Sequence, residues 1–153
     1  MMRKELVFQA LDNSIVVISA EVVDILISYR QLSNTALESA GVLIGERRGE
    51  HLVIKTLSEP SQLDIRSRFM VDRVSGHHQK IVDDAFKQSG SLWHYLGEWH
   101  THPEDVPTPS SVDYSSWYKN LNSSEPLILI IVGRTDFWAG KKTHDSIEVL
   151  KQL

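Results

Sequence analysis

Cysteine is absent from the 153-residue chain. That excludes disulfides, a cysteine-based zinc finger and a thiol nucleophile, and it fits a reducing compartment such as the cytoplasm. An excess of positive charge is also missing. Sixteen Lys and Arg stand against 20 Asp and Glu, for a formal net charge of −4 and a pI near 5.9. Nucleic-acid binders usually carry a basic domain, so no nucleic-acid partner is expected. The longest apolar run, Pro126 to Val132, is far too short to span a bilayer, and Met1 to Ala10 carries Glu5 and leads into no secretory-type apolar stretch. A soluble cytoplasmic protein with no membrane partner is expected. There is no internal repeat, low-complexity tract or linker. With 41% hydrophobic and 24% charged residues, the composition is that of one globular domain over residues 1–153. A chain of this size buries roughly 70% of its unfolded surface, enough for a core without staples.

Periodicity divides the chain into short elements. Ser14–Ser19 is β-branched and reads as a strand. Glu21–Leu32 has helical apolar spacing at 22, 23, 25, 26, 29 and 32. Gly41–Gly45 and His51–Leu57 read as strands joined by a hairpin turn over Arg47–Glu50. Ser58–Arg68 reads as a loop and Phe69–Val71 as a short strand. Ser75–Ser89 is a second helix with Gly90 just past its end. Leu92–Thr101 is an aromatic-rich strand, Ser110–Leu121 a third helix, and Pro126–Val132 a strand buried on both faces. Strands over 137–141 and 146–150 follow. Without regular βαβ alternation the fold class is α+β, a mixed, largely antiparallel sheet flanked by helices.

The stretch from Gly97 to Asp113 carries the chemistry. On a strand, Glu98, His100 and His102 share one face, and the two histidine Cα atoms lie about 6.6 Å apart. After a Pro-rich loop, Ser110-Ser111-Val112-Asp113 opens a helix, with Asp113 in its first turn. Two imidazoles and a carboxylate form the protein ligand set of a catalytic zinc site. Asp113 also fits a capping box with Ser110, and both roles are compatible. Ser110 can cap the helix or donate to an oxyanion, and Ser111 could exchange roles with it. Hydrolysis further needs a carboxylate base. Glu98, beside the histidines, and Glu38, just before the Gly41–Gly45 strand, are equal candidates on these grounds.

The pattern of Glu38, Gly41-Val-Leu-Ile-Gly45, His100-Thr101-His102-Pro103 and Ser110-x-x-Asp113 resembles the JAMM (MPN+) metalloprotease family over nearly the whole chain. The resemblance implies a curved sheet related to the cytidine deaminase architecture. It implies one Zn2+ per chain on His100, His102 and Asp113, a catalytic water, Glu38 as general base and Ser110 supporting the oxyanion. It also implies a protein substrate carrying a ubiquitin-like or nucleotidyltransferase C-terminal tail, cleaved as a deubiquitinase-like isopeptidase does. Within the family the chain is most similar to the small bacterial members associated with cGAS-like nucleotidyltransferases in anti-phage operons. That implies release of the nucleotidyltransferase from its conjugates. Two rival readings are a non-catalytic scaffold of the same fold and a hydrolase that processes a sulfur- or amino-acid-carrier tail. A tail pairing with an exposed strand edge is the expected mode of substrate binding.

The remaining candidates have plainer readings. His77 and His78 are expected to be solvated at a helix start, and His51, His94 and His144 to ligate nothing. Trp93, Trp99, Trp117 and Trp138 read as core or groove lining, with Trp117 more suited to core than to a substrate channel.

Overall fold

The computed structural model describes residues 4–61, 64–66, 71–72 and 76–153. The chain opens with strands β1 (Leu6–Gln9) and β2 (Ile15–Ile18), then helix α1 (Ala20–Ser28). Strands β3 (Ala40–Arg48) and β4 (His51–Leu57) form a hairpin, followed by the short pair β5 (Ile65–Arg66) and β6 (Val71–Asp72). Helix α2 (His77–Gln88), β7 (His94–Thr101), α3 (Ser111–Asn120), β8 (Leu127–Val132), β9 (Phe137–Thr143), β10 (Ser146–Val149) and β11 (Lys151–Gln152) complete the chain.

Nine strands form one sheet in the order β10-β9-β8-β7-β3-β4-β2-β1-β11. Two neighbouring pairs, β2 with β4 and β7 with β8, are parallel, and the others are antiparallel. The expected α+β class with a largely antiparallel sheet is what the structure has. The curvature is strong. β10 lies on one edge and β11 on the other, yet only Leu150 separates them. Leu150 N–H donates to Ala139 O and Leu153 N–H to Val7 O, so the end of the chain ties both edges together.

The sheet has a helix on one face and two on the other. Under α1 lies the main core, with Val22, Val23 and Leu26 against Ile18, Leu43, Ile54, Trp99, Ile128 and Ile130. On the opposite face α3 covers Leu127, Leu129 and Ile131, and α2 covers Val42 and Ile44. All six residues of β8 are buried, as an apolar run covered on both faces requires.

Most sequence-based elements appear, with three differences. First, α1 stops at Ser28, not near Leu32. Tyr29 turns onto Trp99, with ring centroids 5.4 Å apart, and Leu32 is exposed, so its place in the helical pattern was coincidental. Second, β1 and β11 were not expected; each is four residues or fewer and is held by its neighbours. Third, β5 interrupts the expected 58–68 loop. Of the expected 69–71 strand, Phe69 and Met70 lie outside the described residues, and Val71 belongs to β6.

Gly97 shapes the strand that leads to the site. Its φ is +148°, and a Cβ there would meet Ile128 O of the adjoining strand at 1.8 Å. The β3–β7 register slips beside it, between Leu43 and Ile44. The bulge puts Tyr95 and Glu98 on the α2–α3 face, where the Tyr95 hydroxyl lies 3.3 Å from Glu98 Oε2. Leu96 and Trp99 turn the other way, into the main core.

Candidate metal centre

At the end of β7 the chain places His100 and His102 on one side of the strand. Ser110 caps α3: its Oγ accepts from Asp113 N–H at 3.0 Å, while Ser110 N–H donates to Asp113 Oδ2 at 2.8 Å. The capping box fixes the Asp113 carboxylate at the helix start, over the two histidines. His100 Nε2 lies 3.3 Å from Asp113 Oδ1, His102 Nε2 lies 3.1 Å from Oδ2, and the two Nε2 atoms are 3.0 Å apart. Ligand atoms of all three residues fall within 4.8 Å of one another, a grouping that could hold a metal ion.

Two ring nitrogens aimed at the same point repel unless a proton or a cation sits between them. His102 Nδ1 is 2.9 Å from Glu104 Oε1. A carboxylate can only accept, so Nδ1–H is the donor and the neutral ring presents its Nε2 lone pair to the site. The donor set of two imidazoles and a carboxylate therefore fits zinc. Glu104 escaped the sequence reading because nothing in its spacing distinguishes it from any loop acid. Replacing Glu104 with Gln is expected to weaken metal affinity 10- to 100-fold, measured by chelator competition, since a weaker partner leaves the ring less firmly oriented.

The imidazole of His100 packs against Trp117, 6.0 Å between centroids, and Trp117 stacks on Trp138 at 5.7 Å with planes 10° apart. Trp117 is thus core, backing the histidine rather than lining an open channel.

Glu38 arrives from sixty residues upstream through strand register. Ala40, the first residue of β3, pairs with His100, and Thr101 N–H donates to Ser39 O at 2.9 Å. Glu38 then stands beside the metal-type cluster with only 7% of its surface exposed. Burial pushes its carboxyl up to about 7; the His102 charge opposes that rise and Asp113 adds to it. A second tie holds this loop. Thr101 projects away from the histidines and bonds the fully buried Gln31 (Oγ1 to Oε1, 2.8 Å), while Ser39 N–H donates to Thr101 Oγ1 at 2.9 Å. Gln31 Nε2 in turn donates to Ala36 O at 3.2 Å. Loop 29–39 is thereby anchored to the residue between the two histidines.

Glu98 faces the same side as His100 and bonds Tyr95. The loop after Pro103 is pinned to the β8–β9 turn: Arg134 N–H donates to Glu104 O, and Arg134 Nε pairs with Asp105 Oδ1 at 2.9 Å. The expectation that His78 is solvated was wrong. It is buried, with Nε2 2.9 Å from Asp64 Oδ2 and Nδ1 2.6 Å from Ser58 Oγ. Ser58 is buried as well and its oxygen accepts from Val42 N–H, so this Ser–His–Asp set is an internal clip rather than a nucleophile. His77 is exposed, as expected.

The charge states carry a testable sign. Burial works to lower the pKa of His102, but its bonds to Asp113 and Glu104 raise it above the usual imidazole value. Burial works to raise Asp113, but bonds from His100 and His102 hold it well below the carboxylate range. In metal-free protein, the stabilisation from His102 is complete below about pH 6.5 and is lost as pH rises through the higher folded value. The stabilisation from Asp113 is present throughout that window. Metal requires the neutral ring, so its stabilisation grows with pH. Between about pH 6 and 8, thermal melts should therefore fall for the metal-free protein and rise for the zinc-loaded one.

Comparison with known proteins places this α+β fold in a family. The sequence pattern of the family described as prokaryotic homologs of the JAB domain matches residues 20–144, and the chain belongs to that family. It is 54% identical over 149 residues to the CD-NTase/cGAS isopeptidase of Vibrio cholerae serotype O1 (strain ATCC 39315 / El Tor Inaba N16961), covering 97% of this chain and 96% of that one. It is 53% identical over 149 residues to the CD-NTase/cGAS isopeptidase of Escherichia coli (strain TW11681), covering 97% and 95%. The solved structure of protein DSY2949 from Desulfitobacterium hafniense superposes with a TM-score of 0.62 at 17% identity, over 86% of this chain and 87% of that one, a likeness of fold alone. No helix among the described residues is long and apolar enough to cross a membrane.

Proposed function

We propose that this protein is a zinc-dependent isopeptidase of the bacterial cytoplasm. It hydrolyses the bond that follows the C-terminal tail of a cGAS-like nucleotidyltransferase, freeing that enzyme from its conjugates in anti-phage defence. The observation that carries this reading is the convergence of His100, His102 and Asp113 beside a buried carboxylate, Glu38. A buried carboxylate beside a ligand cluster is the arrangement that proton transfer needs, which favours an enzyme over a scaffold. The two relatives named as CD-NTase/cGAS isopeptidases support the choice of substrate.

His100, His102 and Asp113 would hold the ion, which when bound lowers the pKa of water and polarises a carbonyl. Glu38, poised by burial to exchange protons near pH 7, takes the proton of the attacking water and delivers it to the leaving amine nitrogen. The C–O bond forms first as the water oxygen adds to the carbonyl carbon; the C–N bond breaks once its nitrogen is protonated, leaving a carboxylate on the tail and, with the second proton of the water, an ammonium group. The Oγ of Ser110 already accepts from Asp113 N–H, so its own hydrogen is available to donate to the developing oxyanion.

Purified protein should contain about one zinc per chain and cleave a reporter fused behind the tail of a bacterial nucleotidyltransferase. A chelator should abolish cleavage and added zinc restore it. Zinc-loaded protein that cleaves carrier-protein tails but no nucleotidyltransferase fusion would replace this substrate; one that cleaves nothing would be a scaffold.

A further inference from the structure

β7 is paired on both sides, with β3 and β8, so the strand that carries the histidines has no free edge for a substrate. What lies beside it is a groove. On the face bearing His100, helices α2 and α3 stand apart, and the floor between them is formed by Val42, Tyr95, Glu98 and Leu127. This part of the groove has a volume of about 820 Å³. It runs into a second part of about 760 Å³, with Val82, Tyr95 and Ser123 common to both.

One wall, α3, and the floor strand, β7, both lead back along the chain to the candidate metal centre. Along α3, Asp113, Ser116 and Asn120 fall at i, i+3 and i+7, on one side of the helix, and Ser116 and Asn120 line the groove. Along β7, Glu98 lines it two residues before His100. The near half is rich in uncharged polar side chains, including Gln79, Ser116, Asn120 and Asn122, which suit the amide groups of an extended backbone. The far half changes character. Trp93 and Phe86 line it among the charged side chains of Arg47, Asp83, Lys87 and Glu125, and Phe86 is 39% exposed, its ring meeting that of His94 at 5.3 Å. From His100 back to His94, which lines the far half at the start of β7, is six strand residues, roughly 20 Å.

We propose that this groove binds the extended tail of the protein substrate, and that its aromatic end takes one large apolar side chain about six residues from the scissile bond. An extended chain rises about 3.3 Å per residue, so six residues span the distance. The near half is the more polar and side-chain tolerant; the far half supplies the selective contact, because the rings of Trp93 and Phe86 there offer an anchor for one large side chain. This assignment rests on the proposed isopeptidase reading for the nature of the chain in the groove.

The test pairs cleavage with binding. Reporter fusions carry the cognate nucleotidyltransferase tail at full length, cut back to about four residues, or with alanine at each position in turn. Fluorescein-labelled tail peptides of about twelve residues report binding to zinc-free protein. Phe86→Ala, at an exposed helix position, and Ser116→Arg, which blocks the near half from an exposed position on α3, are the variants. Removing the apolar contact is expected to raise KM tenfold to a hundredfold with kcat little changed, whether the change is Phe86→Ala or alanine at one tail position. Combining the two should add nothing further. Ser116→Arg should weaken peptide binding at least tenfold. The proposal is overturned if both variants bind and cleave full-length tails as the wild type does, or if the four-residue tail is cleaved with the full-length KM. A wild-type protein that binds the peptide with this dependence on Phe86 yet cleaves no fusion would refute the isopeptidase reading and leave the groove assignment standing.

Discussion

Glu38→Gln is expected to keep its zinc and to lose turnover by roughly 10²- to 10⁴-fold, the range for losing a positioned proton shuttle. The substitution is nearly isosteric and the position is buried, so folding should survive. The neutral amide cannot take the proton of water, and the loss therefore falls on kcat rather than on KM. Metal analysis separates this outcome from loss of the centre. The matched control is Glu98→Gln. Glu98 lines the groove and bonds Tyr95 rather than standing in the metal-type cluster, so its replacement should act mainly on KM. If instead Glu98→Gln abolished turnover and Glu38→Gln left it intact, the proton shuttle would be Glu98.

Asp113→Ala is expected to take zinc content from about one per chain to near zero and activity to background. It removes a proposed ligand and also the acceptor for Ser110 N–H at the start of α3. The second loss costs about 1 kcal/mol in the metal-free protein, visible as a lower Tm. Asp113→Asn separates the two roles. Its amide oxygen can still accept from Ser110 N–H, so the helix start should hold while zinc retention falls. His100→Ala should lose zinc as fully as Asp113→Ala without touching the cap. An Asp113→Ala protein with a full complement of zinc would remove Asp113 from the ligand set.

Much of this architecture is legible in sequence for identifiable reasons. β8 is a six-residue apolar run and can only be a strand covered on both faces. α2 carries Ile81, Val82, Ala85 and Phe86 at helical spacing and Gly90 past its end, and its observed bounds fall within two residues of that pattern. The family relationship also rests on spacing, since His100, His102, Ser110 and Asp113 lie within fourteen residues of one another. Illegible were the features made by contacts far apart in the chain. The burial of His78 depends on Ser58 and Asp64, and a polar pair at a helix start looks solvated until those partners arrive. β1 and β11 are too short to show a pattern and exist because each lies against a neighbour.

Glu38 and Glu98 mark where the division lies. Local spacing determined that two histidines would share a strand face and that an acid would sit in the first turn of a capped helix. These are short-range consequences of backbone period and capping chemistry. Which carboxylate stands beside them was a matter of register between β3 and β7, where Ala40 pairs with His100 and the Thr101–Gln31 bond anchors the intervening loop. That pairing joins residues sixty positions apart. It also buries Glu38, and burial is what brings the carboxyl near neutrality. A carboxylate's pKa is set by its surroundings, and those exist only once the sheet has formed.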